Sequence, residues 1–134
     1  MEAKAMSNLV MVVDDSLTVR KILEVSLKRA GLDVVAFSDG IEALQALTSS
    51  DLQRLPNIVI LDVMMPKLNG YTFARLIRSK PYLRHIPILM LTSRDSMVSQ
   101  LRGRIAGANI YMTKPFKTQD IVQTVLGCLK MAPG

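Results

Sequence analysis

The chain has 134 residues, 49% of them hydrophobic and 21% charged, which is enough apolar material for the core of one ordinary domain. Seventeen Lys and Arg against eleven Asp and Glu leave a net charge of +6, with aromatics at only 4%. No long basic run, zinc-finger or helix-turn-helix pattern occurs, and no apolar run approaches the roughly 18 to 20 residues of a membrane span, so direct nucleic-acid binding and membrane insertion are not expected.

Short apolar segments alternate with longer segments of helical period, which predicts βα units around a parallel sheet. The first predicted strand is Leu9 to Val13; Val19, Ile22, Leu23, Leu27 and Ala30 then repeat at helical spacing, and Gly31 supplies a stop. Val34 to Phe37 reads as the second strand, followed by a helix from about Ile41 to Leu47 that Asp39 can cap. Ile58 to Leu61 is the third strand, and its helix runs from about Tyr71 to Ser79, halted by Pro81. Ile88 to Leu91 and Ile110 to Met112 complete the strands. The helix between them, Met97 to Ala106, contains Gly103 and is expected to be the least stable. The last helix begins after Thr118 and lines up Ile121, Val122, Val125, Leu126 and Leu129. Five such units make an α/β, three-layer, doubly wound (βα)5 sandwich with a five-stranded parallel sheet. The expected boundaries are a flexible segment 1–7, a domain 8–131, and a tail or start of a linker 132–134. The opening "MEAKAMS" has no signal-peptide core, which points to the cytoplasm, and the lone Cys128 reads as helix packing.

In an open parallel sheet, function gathers beyond the carboxyl ends of the strands. Those ends are polar here: Asp14 and Asp15 after the first strand, Asp62 after the third, Thr92 and Ser93 after the fourth, Thr113 and Lys114 after the fifth. Three clustered carboxylates repel one another unless a cation neutralises them, and an all-oxygen set without His or Cys suits Mg²⁺, with Mn²⁺ able to substitute. Capping of the first helix explains Asp14 or Asp15 alone, but not Asp62, Thr92 and Lys114 with them. Asp62, at the mouth of a central strand, can act as a carboxylate nucleophile toward a phosphoryl group, with Lys114 and the Thr92 hydroxyl set to meet its oxygens. The Lys114–Pro115 bond is a candidate cis peptide that would fix the lysine's angle, while Pro66 and Gly70 shape the loop after Asp62. His85, in "YLRHIP", reads as an ordinary surface histidine.

The segments "VDDS" at 13–16, "LDVMMPKLNG" at 61–70, "MLTS" at 90–93 and "YMTKPF" at 111–116 together resemble the receiver domain of two-component response regulators, in particular single-domain, chemotaxis-type ones, over roughly residues 8–131. The resemblance implies a flavodoxin-like strand order 2-1-3-4-5. It also implies Mg²⁺-dependent transfer of a phosphoryl group from the phosphohistidine of a sensor histidine kinase or phosphotransfer protein to Asp62. Asp14 and Asp15 match the metal-binding pair, Asp15 as the expected direct ligand and Asp14 as one acting partly through water, and the Met64 carbonyl matches the backbone ligand. Thr92 and Lys114 match the residues that read the phosphoryl group, and Tyr111 matches the aromatic switch. Phosphorylation would then remodel the surface of the fourth helix, fifth strand and fifth helix, where a downstream protein binds. The domain would catalyse only its own phosphorylation and dephosphorylation.

Met64 and Arg94 depart from a common polar pattern beside the phosphoacceptor, and Met64 offers no hydrogen bond to orient an attacking water. "LRGRIAGA" at 101–108 is similar to single-domain regulators of pilus-driven motility and chemotaxis-like pathways. A phosphorylation-independent pseudo-receiver, or a receiver cut from a larger regulator with a DNA-binding or enzymatic output domain, are the alternatives. A dehalogenase-type phosphatase would need an acid where Met64 stands, and no phosphate-binding glycine loop supports a nucleotide switch. Setting aside Asp14, Asp15, Asp62 and Lys114 leaves sixteen basic and eight acidic side chains, so an acidic partner surface is expected.

Overall fold

The computed structural model describes residues 7–49 and 52–131. Of the expected N-terminal segment only Ser7 falls within them, and the tail 132–134 lies outside. The elements follow in strict alternation: β1 (Leu9–Val13), α1 (Leu17–Arg29), β2 (Asp33–Phe37), α2 (Gly40–Thr48), β3 (Ile58–Leu61), α3 (Gly70–Ser79), β4 (Ile88–Thr92), α4 (Met97–Ala106), β5 (Ile110–Thr113) and α5 (Thr118–Met131). The sheet is parallel throughout, in the order β2-β1-β3-β4-β5, the doubly wound flavodoxin-like arrangement.

Helices cover both faces of the sheet, which is why β1, β3 and β4 read as unbroken apolar runs rather than alternating ones. Met11, Val13, Val59 and Leu61 point to one side, against Leu47, Phe73 and Ile77 of α2 and α3. Val10, Val12, Ile58 and Ile60 point to the other, against Leu23 and Leu27 of α1 and Ile121 and Val125 of α5. Each such buried side chain contributes about 2 kcal/mol of transfer free energy. Cys128 is half-buried on this second side, where burial raises its thiol pKa.

Local chemistry starts and stops the helices. Ser16 Oγ accepts the Val19 N–H at 3.2 Å, Asp39 Oδ1 the Glu42 N–H at 2.8 Å, Asn69 Oδ1 the Thr72 N–H at 3.0 Å, and Ser96 Oγ the Ser99 N–H at 3.0 Å. Asp39 is thus the cap expected of it, whereas Ser16, not either neighbouring aspartate, caps α1. The α1 stripe also differs from expectation at Ile22, which is exposed, because the helix covers only one side of a narrow sheet. Lys80, ahead of Pro81, is extended and ends α3. The strands β2, β4 and β5 each run one residue beyond their predicted limits, to Asp33, Thr92 and Thr113, because ladder pairing carries polar residues along with apolar ones.

Candidate functional site

Register decides which side chains meet. Val13 pairs with Leu61 and Thr92 with Thr113, so the residues following β1 and β3 leave the sheet abreast, beside the ends of β4 and β5. Asp14 N–H still donates to Phe37 O at 3.1 Å and Asp62 N–H to Val13 O at 3.1 Å, which ties both aspartates to the sheet's edge. One oxygen of Asp14, one of Asp15 and one of Asp62 all lie within 4.8 Å of one another. Asp14 and Asp62 are buried and Asp15 is exposed.

The remaining bonds are specific. Asp14 Oδ1 accepts the Ser16 N–H at 2.9 Å, and Asp62 Oδ1 accepts the Met64 N–H at 3.0 Å. The Lys114 ammonium donates to Asp14 Oδ2 at 2.8 Å and to Asp62 Oδ2 at 3.0 Å, spanning the two buried carboxylates. Lys114 is carried there by β5, its N–H donating to Thr92 O at 2.9 Å, and its bond to Pro115 is cis. Thr92 is buried; its Oγ1 accepts the Arg94 N–H at 3.3 Å, leaving the hydroxyl proton to donate elsewhere.

Burial pushes the Asp14 carboxyl above its ordinary pKa; hydrogen bonds from Lys114 and Ser16 oppose this, and the charge of Asp62 adds to it. Burial also pulls Lys114 down, but hydrogen bonds to two carboxylates and their charges outweigh it, so the lysine stands above its ordinary pKa. Both shifts are upward because the lysine collects two anions while Asp14 has one cation to offset its desolvation. The rim therefore holds an anionic cluster that its own lysine only partly neutralises. Three hard oxygen donors this close fit Mg²⁺, whose carboxylate chemistry this set matches.

Gly70 shapes the loop between Asp62 and α3. Its N–H donates to Val63 O at 2.9 Å, and a Cβ there would stand 2.4 Å from Asp62 O. Next to it, Tyr71 on α3 donates its hydroxyl to Ser99 O at 3.1 Å, and the Arg102 guanidinium lies 4.5 Å over its ring. Met64, half exposed, lines with Asn69, Tyr71, Arg94 and Arg102 a cleft of about 390 Å³ beside Asp62. Tyr111 on β5 is half-buried, its ring against Gly103 and its hydroxyl donating to Arg94 O at 2.7 Å. Burial first, and then a hydrogen bond with Tyr71, raise the Tyr111 hydroxyl pKa. Sequence reasoning missed Tyr71, and also Arg20, which donates to Asp14 O at 2.7 Å from a turn into α1. Neither belongs to a motif, so only proximity reveals them. His85 lies exposed in the loop before β4, at the opposite end of that strand from Thr92.

A doubly wound parallel sheet whose strand ends present an acidic pocket crossed by a lysine defines a flavodoxin-like signalling domain. The chain belongs to the response regulator receiver domain family, whose model matches residues 10–126. It is 38% identical to the protein PilG of Pseudomonas aeruginosa over 116 residues, covering 87% of this chain and 83% of PilG. It is 36% identical to the alkaline phosphatase synthesis transcriptional regulatory protein PhoP of Bacillus subtilis, of which it spans 50% while 93% of this chain is matched. Among solved structures, the chemotaxis response regulator CheY4 of Vibrio cholerae superposes with a TM-score of 0.81 at 31% identity, over 92% of this chain and 99% of that one. Receiver domains are phosphorylation-switched signalling domains that bind Mg²⁺ at their acidic pocket and work with histidine kinases or phosphotransfer proteins and downstream targets. Among the described residues, no helix is long and apolar enough to cross a membrane.

Proposed function

We propose that Asp62 is the phosphoacceptor of a cytoplasmic response regulator, and that the domain's only catalysis is on this residue. The observation that carries the reading is the Lys114 ammonium held on Asp14 and Asp62 together, at the point where β1, β3 and β5 end. A phosphoryl group on Asp62 would bring negative charge to a lysine already in place, at no cost in reorganisation.

In the transfer, an Asp62 carboxylate oxygen forms a bond to phosphorus as the phosphohistidine P–N bond breaks; the electron pair stays on the imidazole nitrogen, which then takes a proton from solvent. Asp14, Asp15, Asp62 and the Met64 carbonyl would hold Mg²⁺ (or Mn²⁺), which when bound supplies charge neutralisation for the transferring oxygens. Lys114 meets one phosphoryl oxygen as a compact cation, and the Thr92 hydroxyl donates to another. Arg20 steadies the Asp14 backbone through its 2.7 Å bond to the carbonyl. As Thr92 moves toward the phosphoryl group, the Tyr111 ring beside Gly103 tightens, and the α4–β5–α5 surface changes for a downstream protein. The likeness to PilG and CheY4 supports a place in a chemotaxis-like or pilus-motility pathway.

Intact-mass measurement after incubation with Mg²⁺ and acetyl phosphate tests the reading. One added phosphoryl group on the wild type and none on Asp62→Ala is the expected result; uptake by neither, or equally by both, would overturn it.

A further inference from the structure

Charge divides this chain unevenly. Residues 63–119 hold ten Lys and Arg against a single acid, Asp95, while the rest of the chain holds seven against ten. Helix α4 lies within the basic stretch, turns Gly103 and Ala106 to the sheet and has no acidic residue of its own. At about 100° per residue, Met97, Leu101, Ile105 and Val98 share a sector of roughly 100° on its other side. They are 87%, 59%, 75% and 69% exposed, so they protrude from the domain instead of lining a groove. Tyr71 holds the Ser99 carbonyl at 3.1 Å and the Tyr111 ring fills the space at Gly103, which keeps the helix from rolling to bury them.

Cations ring this patch. Arg102 and Arg104 flank it on the helix, and Arg94 stands just before the first turn. Arg84 is brought beside the last turn by Arg78, whose guanidinium donates to Arg84 O at 2.8 Å and to Gly107 O at 2.7 Å. Among the described residues, none of Arg84, Arg94, Arg102 and Arg104 is paired with a carboxylate.

We infer that this face of α4 is a membrane-surface site, which lies on an anionic phospholipid leaflet with its four apolar side chains in the boundary between headgroups and acyl chains. The long arginine stems let the guanidiniums reach lipid phosphates while the apolar residues sit deeper. A nucleic acid would match the cations but leave four bare apolar side chains against phosphate and water. A protein partner must meet charges drawn from separate segments in fixed register, whereas a fluid layer of headgroups meets them in any arrangement. A second copy of this chain would set Arg102 and Arg104 against their own counterparts, in a chain of net charge +6. The contact is one ten-residue helix, so the binding is reversible and sensitive to salt. Nothing in it requires a phosphoryl group on Asp62, and it is measured without a phosphodonor.

The test is co-sedimentation of the full chain with vesicles of phosphatidylcholine alone and of phosphatidylcholine with an equal part of phosphatidylglycerol. Wild type should bind the anionic vesicles at least about tenfold more tightly, and lose this as salt is raised. Leu101→Ser/Ile105→Ser and Arg102→Glu/Arg104→Glu should each weaken that binding about tenfold, whereas the charge-matched Lys21→Glu/Lys28→Glu on α1, across the sheet, should weaken it less than about threefold. Met97→Trp, at the barest position of a chain without tryptophan, should shift its emission to the blue with the anionic vesicles only. Binding to neither vesicle, equal binding to both, or no blue shift would overturn the site. So would a serine variant that circular dichroism shows folded and that binds unchanged, or an α1 variant that loses as much as the α4 arginine variant. Retention of duplex DNA that the arginine variant loses and the serine variant keeps would overturn it in favour of a nucleic acid. A wild-type dimer that the serine substitutions dissolve would overturn it in favour of a second copy.

Discussion

The Tyr111 ring occupies the space that a side chain at Gly103 would need: a Cβ there would stand 2.8 Å from two ring carbons and 3.0 Å from the Met90 sulfur. Gly103→Ala should therefore drive the ring outward and break its hydroxyl's bond to Arg94 O. The better helix propensity of alanine, about 1 kcal/mol, offsets the lost packing, so global stability should change little. NMR of the Tyr111 ring and urea unfolding would check this; an unmoved ring would show that Gly103 does not set its position.

At Gly70 the obstacle is backbone. A Cβ would lie 2.4 Å from Asp62 O and 2.8 Å from Val63 Cα, neither of which can rotate away. Gly70→Ala should cost about 3 kcal/mol in urea unfolding and slow phosphoryl uptake at Asp62, since relief requires moving the loop that carries it.

Asp14 makes the metal-free protein sensitive to pH. Its folded pKa lies above the ordinary value of 3.8, burial being the main cause, so the folded state binds this proton more tightly than the unfolded chain does. The stabilising contribution is complete below pH 3.8 and is lost as pH rises through the folded pKa. In EDTA at pH 7, Asp14→Asn should melt at a higher temperature than the wild type, with the gap closing toward pH 4; Mg²⁺ should raise the wild type more than the variant. A variant that melts lower at pH 7 would contradict this.

Arg78 ties together the end of the sheet opposite the acidic pocket. Its guanidinium donates to Gly107 O at 2.7 and 3.2 Å, Arg84 O at 2.8 Å, Ile86 O at 2.7 Å and Asn109 Oδ1 at 2.8 Å, linking α3 to the loops before β4 and β5. Arg78→Ala should lose about 3 kcal/mol by chemical denaturation, and Arg78→Lys should recover less than half, because an ammonium cannot reproduce the planar fork.

Met64 presents a half-exposed thioether beside Asp62, with its sulfur 3.8 Å from Ser93 Oγ. It offers attacking water no hydrogen bond, so Met64→Asn should shorten the aspartyl-phosphate half-life by about tenfold, read by loss of the phosphoryl mass over time. An unchanged half-life would remove Met64 from the control of hydrolysis.

The order of elements, the parallel sheet and the polar strand ends were legible in the sequence, because two-sided burial writes itself as unbroken apolar runs and because polar residues interrupt those runs only at their carboxyl ends. Asp14, Asp15, Asp62, Thr92 and Lys114 were named from those positions alone. Less was legible where a contact joins residues with no shared pattern. Arg20 on Asp14 O, Tyr71 on Ser99 O, the Arg78 fork and the Tyr111 ring on Gly103 each depend on how helices cross the sheet, which periodicity does not encode. The apolar residues of α4 were present in the sequence too, but their spacing did not say which side of the helix the sheet would take. Only packing, which spends Gly103 and Ala106 on the sheet, leaves Met97, Val98, Leu101 and Ile105 facing water. Local pattern determined which residues could meet at the rim; tertiary packing, which allots each helix one face to bury, decided what they touch and what remains exposed.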